Sequence, residues 1–182
     1  MKNEQLLCEL VPSQAFGRNL RSILNTKTWS RISKSVRGSN EGKCVNCGDA
    51  AEHAHEVWEW VISEGHLLQR LVGIVPVCKK CHDFKHIGRI LITKDQDAFH
   101  ASIERAAKLN DLLAMTMLEH VELCFAAHNA LKNIPLGAID LDWLKHNHTL
   151  YTQAARTEIS NYLSDEPNMV DESKETHAGE GD

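Results

Sequence analysis

Four of the six cysteines in this 182-residue chain fall into two Cys-x-x-Cys pairs, Cys44-Val-Asn-Cys47 and Cys78-Lys-Lys-Cys81, separated by 30 residues. Each pair can wrap a tetrahedral cation from one side, and Zn²⁺ takes thiolates at about 2.3 Å. A lone Cys-x-x-Cys fits a redox motif, but two at this separation favour a metal. Four thiolates close the coordination sphere, so the expected zinc is structural and not catalytic. Cys8 and Cys124 lack partners at metal spacing and read as small buried hydrophobes.

Such a site needs reduced thiols, and the rest of the chain agrees. No apolar run reaches the roughly 18 residues of a membrane span, and MKNEQLLCELVPSQ lacks the charged start and apolar core of a signal peptide. A soluble, cytoplasmic protein with no membrane partner is predicted.

The length and 42% hydrophobic content suit one main unit with an appendage. Residues 1–42 form a basic segment in which Leu20, Ile23, Leu24, Trp29 and Ile32 recur at helical spacing, ending in the breaker cluster Gly38-Ser39-Asn40-Glu41-Gly42. Residues 43–90 hold the cysteine pairs and two predicted strands, His53 to Trp60 and Leu71 to Val77, joined by a polar turn near Ser63 to His66, with a helix starting at Lys79. Residues 91–163 form a helical extension, with a break near Asn110-Asp111 and a predicted core of Leu112, Leu113, Met115, Leu118, Val121, Leu123 and Phe125. Residues 164–182 are an acidic tail expected to be disordered. The class is α+β.

The net charge of -5 hides a gradient. Residues 1–40 carry seven Lys/Arg against two acidic residues, and residues 91–182 seven against sixteen. The first segment can meet phosphate, and the last is repelled by it within the reach of salt screening.

The second signal is histidine placement. His82 follows Cys81 directly and His86 lies four residues on, so a helix puts both imidazoles on one face, where they can grip a divalent cation. His53, His55 and Glu56 come from the strand that the zinc would pin nearby. A cation held by few protein ligands keeps positions for water and a phosphate oxygen, as Lewis-acid assistance to phosphodiester cleavage requires. His55-Glu56-Val57-Trp58-Glu59 begins like the zinc-protease motif HExxH but has Glu59 in place of the second histidine, and its alternation suits a strand. Trp58 and Trp60 share one face of that strand and are expected to pack, with base stacking open to them if the face is exposed.

Taken together, CVNCG, HAHEVWEW and LVGIVPVCKKCHDFKH resemble the HNH endonuclease superfamily, in its zinc-stapled branch often encoded by phages and bacteria. The resemblance covers about residues 43–89 and implies a ββα-metal module in which a hairpin and a helix hold one catalytic divalent ion, such as Mg²⁺, Mn²⁺ or Ni²⁺, and a hairpin histidine activates water. By position, His82 and His86 resemble the helix ligands. In one register, His55 is the general base and His53 must reach in as the missing ligand. In the other, His55 is the ligand and Glu56 the base. The first is preferred, because an imidazole titrating near neutrality suits general-base work. The Asn that orients the base in the family has no clear counterpart, and Gln69 is the candidate substitute.

The leading expectation is therefore a metal-dependent DNA endonuclease, with Lys79, Lys80, Lys85 and Arg89 facing phosphate beside the metal. If phage-encoded, it would work in the cytoplasm of a bacterial host. The competing expectation is an inactive relative that binds nucleic acid, or a protein partner as an inhibitor of a nuclease complex.

Overall fold

The computed structural model describes residues 4–93, 96–147 and 149–165. Of the predicted acidic tail, Ser164 and Asp165 are described, as the end of the last helix, and residues 166–182 lie outside the described residues.

Two asparagines start the helical part of the chain. Asn19 caps α1 (Leu20–Ile23) by accepting from the Arg21 and Ser22 backbone amides, and Asn25 caps α2 (Thr26–Gly38) by accepting from Thr28 N at 2.9 Å. The apolar stripe of α2, Trp29, Ile32 and Val36, is buried, while Lys27, Arg31 and Lys34 stay exposed, as the periodicity predicted. Ahead of these helices, residues 4–11 run extended across the cysteine-bearing region. This part of the basic segment is not helical.

The hairpin is longer than the sequence implied, with β1 at His53–Ser63 and β2 at His66–Val77. Ser63 pairs with His66, and the two residues between them, Glu64 and Gly65, sit at φ 50° and 77°. That two-residue turn with positive φ at both positions matches the right-handed twist of its strands. The pairing slips between Val57 and Trp58, so that Val72 is an extra residue on β2. The bulge lets both Ile74 and Leu71 face the same core as Ala54 and Trp58.

The cysteine pairs close the base of the hairpin. Val45 N donates to Pro76 O and Glu52 N to Val77 O, both at 3.0 Å. β2 then runs straight into α3 (Lys79–Lys85), whose N-cap is Cys78, with Cys81 N facing its Sγ. Three more helices follow, α4 (Ile87–Thr93), α5 (Gln96–Leu109) and α6 (Ala114–Leu131). The chain then returns as β3 (Leu136–Asp140), parallel to β2, giving the sheet order β1-β2-β3. It ends in α7 (Asp142–Lys145) and α8 (Gln153–Asp165). No helix among the described residues is long and apolar enough to cross a membrane.

Two cores result. One packs α1, α2, β3, α7 and α8 on the even face of β1, and there Glu158 of α8 accepts from Asn25 N and Thr28 Oγ1. The other joins the extended N-terminal segment to the cysteines, α3, α4, α5 and α6. Within α6 the predicted core is only partly right. Val121 is buried and Leu118 and Phe125 partly so, but Leu112, Leu113, Met115 and Leu123 are exposed and Met117 is the buried methionine. A segment apolar on several sides cannot tell from its own pattern which side will be covered.

Candidate metal centre

The four cysteines converge as their spacing requires, with their Sγ atoms within 4.8 Å of one another. Cys47 and Cys78 are 3.5 Å apart and all four are free thiols. A tetrahedral ion with thiolates at about 2.3 Å sets its sulfurs about 3.8 Å apart, so the cluster can hold a structural zinc. Its electrostatics favour a cation. A hydrogen bond from Cys81 lowers the Cys44 thiol to about 4, while burial pushes Cys47 up to about 12 and Cys81, facing Cys44, is raised as well. Four thiolates therefore need a positive charge among them. Arg105 of α5 supplies a second one. Its Nε is buried without a hydrogen-bond partner, and its guanidinium lies near Cys81, Cys47 and Cys78, where metal-bound thiolates could accept. Sequence spacing offered no signal for Arg105.

One helical turn away, His55 of β1 meets His82 and His86, their ligand nitrogens within 4.8 Å of one another. Ring centroids are 5.3 Å apart for His55 and His82, 5.0 Å for His55 and His86, and 4.8 Å for His82 and His86. His86 ends α3, so the i, i+4 pair spans the last turn of the helix. His53 stacks on His82 at 4.6 Å with nearly parallel rings and stands outside the triangle. Burial, then the neighbouring imidazoles, lower His82 to about 3, and burial with His55 and Arg89 lowers His86 to about 4. Both rings are neutral near pH 7, with lone pairs for a cation. Three imidazoles could hold a divalent ion and leave it an open position.

The remaining candidates divide. Glu56 lies on the opposite face of β1 from His55. Its Oε2 accepts from Leu20 N at 3.2 Å and Trp58 Nε1 at 3.1 Å, and burial raises its carboxyl to about 7. It is not brought to the histidines. Trp58 packs on the sheet-side core. Gln69 is also buried in that direction, donating to Arg18 O at 2.9 Å, so it does not orient His55. The group that does is Glu9, from the extended segment. Its Oε2 is 3.0 Å from His55 Nε2 and its Oε1 2.5 Å from Lys85 Nζ. Burial would raise this carboxyl, but His55 and Lys85 together hold it at about 2. A carboxylate on one imidazole nitrogen fixes the tautomer and leaves the other nitrogen as donor to a metal. No local pattern in the sequence ties Glu9 to His55, 46 residues away.

Lys85 is corrected by the same contact, for it is buried on Glu9 and not turned to solvent. Lys79 and Arg89 are exposed and share Asp83, at 2.9 and 2.8 Å, and Lys80 is exposed beside them. Set against protein-family models, curated proteins and solved structures, the chain matches none.

Proposed function

We propose that this protein is a metal-dependent phosphodiester hydrolase of the HNH endonuclease type, with DNA as its substrate. The observation that carries the reading is the convergence of one imidazole from the first strand of a hairpin with two from the helix that follows its second strand, beside a four-cysteine knuckle.

An ion held by His55, His82 and His86 would polarise a phosphate oxygen and stabilise the leaving oxygen. Glu9 holds His55 in place. His53, the further imidazole on this face, takes the proton of the attacking water. This exchanges the roles of the preferred register, and its support is that His55 completes the triangle while His53 does not. Lys79, Lys80 and Arg89 lie beside the histidines and bind substrate phosphates, with affinity that falls steeply with salt. The alternative, an inactive relative that binds a protein, draws its support from the exposed apolar side chains Ile92, Leu113, Met115 and Leu123.

The test is nicking of supercoiled DNA at low salt with Mg²⁺, Mn²⁺ or Ni²⁺ and with chelator. Ion-dependent nicking lost in His82→Ala and His53→Ala is expected. A zinc-loaded, folded protein that fails to cleave with any of these ions overturns the hydrolase reading in favour of the binding one.

A further inference from the structure

Cys8, His120 and Cys124 stand apart from both clusters, and as a sequence they share no ligand spacing beyond the i, i+4 separation of the last two. Tertiary structure brings them together. The extended N-terminal segment is pinned on both sides of Cys8. Leu6 N donates to Asn110 Oδ1 and Leu6 O accepts from Asn110 Nδ2, each at 2.8 Å, and Glu9 N donates to Lys85 O at 2.7 Å. This sets buried Cys8 against α6, where His120 and Cys124 lie one helical turn apart on a common face.

The ligand atoms of the three lie within 4.8 Å of one another, and Cys124 Sγ is 3.5 Å from His120 Nε2. A tetrahedral cation with sulfur at about 2.3 Å and nitrogen at about 2.0 Å sets those two atoms about 3.5 Å apart. We propose that Cys8, His120 and Cys124 form a second thiophilic metal site, which takes a soft d¹⁰ cation of the Zn²⁺ type and clamps the N-terminal segment to α6.

Simple apolar packing accounts for the burial of Cys8, but not for an imidazole nitrogen turned onto one sulfur of a close pair. Two thiols and an imidazole select a soft or borderline cation over Mg²⁺ or Ca²⁺, which take oxygen. Three protein ligands leave one position for water or an added ligand. The clamp also has a neighbour of consequence. Residue 9, next along the chain, is the carboxylate that holds His55 and Lys85. Securing Cys8 thus secures the segment from which Glu9 reaches the histidines, whether or not those histidines hold an ion.

Cadmium NMR of the full chain, stripped of metal and reloaded with Cd²⁺ under reducing conditions, tests this, because the shift reports how many thiolates the ion carries. Two thiolate-bound resonances are expected, one from the four-cysteine cluster and one from this site. Cys124→Ser and His120→Ala should each abolish the second and leave the first, which also shows that the variant has folded. A single four-thiolate resonance in the unaltered protein overturns the site, as does a second resonance that survives Cys124→Ser. An intact mass two hydrogens lower before reduction than after it, with Cys8 and Cys124 cross-linked in a non-reducing peptide digest, overturns it in favour of a redox pair.

Discussion

The cysteine cluster and the histidine cluster lie one helical turn apart, yet they are built to different plans. The first has four ligands, three of them buried, with Cys78 doubling as the N-cap of α3 and Arg105 facing the sulfurs. The second has three ligands, only one of them fully buried, and an outside carboxylate that holds that one. A closed set of four thiolates leaves an ion nothing to react with, whereas three imidazoles leave a position open. Placing the closed site at the root of the helix gives the open one a rigid base. The difference teaches that one short helix can present two unlike ligand sets, a closed one at its first turn and an open one at its last.

The largest effect should separate the clusters by stability. Cys78→Ala removes a ligand and a cap together, and structural zinc contributes on the order of 10 kcal/mol to small domains. Amides of α3, α4 and α5 should then lose protection in hydrogen exchange, while those of α2 and α8, which belong to the other core, keep theirs. Wild-type protection throughout would break the division of roles. His82→Ala should do the reverse. DNA nicking falls by about 10³-fold or more, since a bound ion supplies several kcal/mol at the transition state, while the urea midpoint moves little.

Glu9→Gln sits between these. It should lower nicking by about 10- to 100-fold, the usual cost of losing the partner of a metal-bound histidine. It should also destabilise the fold by about 2 kcal/mol, because Lys85 keeps its buried charge without a counter-ion. That figure is below the range for a fully buried pair because the carboxylate is 27% exposed. Nicking at the wild-type level would remove Glu9 from the site.

The smallest effect falls on the other face of β1. Glu56 is raised from 4.5 to about 7 in the fold, so its protonated form is favoured there and the native state loses stability as pH rises through that window. Glu56→Gln should leave nicking unchanged. Compared by urea midpoints, it should gain on the wild type between pH 5 and pH 8, by on the order of 2 kcal/mol. A variant that loses nicking would return Glu56 to the role of base.

Much of the frame was legible beforehand. The stripe of α2, the turn near Ser63 to His66 and the break at Asn110-Asp111 are local signals, and the structure follows each. The alternation of His53 and His55 against Ala54 and Glu56 marked a strand, but the register that would tell ligand from base was not readable from it. That depends on which face of β1 meets α3. Leu113 and Met115 went astray for a related reason, since α6 is apolar on several sides and only its neighbours choose the covered one.

By itself the sequence determined what is periodic or closely spaced: two cysteine knuckles, a hairpin between them, and a helix with histidines at i and i+4. Only tertiary structure decided which distant groups meet them. Glu9 reaches His55 across 46 residues, Arg105 comes to the thiolates from α5, and Cys8 joins His120 and Cys124. The physical reason is that local propensity acts over a few residues, while these partners are set by how the N-terminal segment, α5 and α6 pack around one buried core.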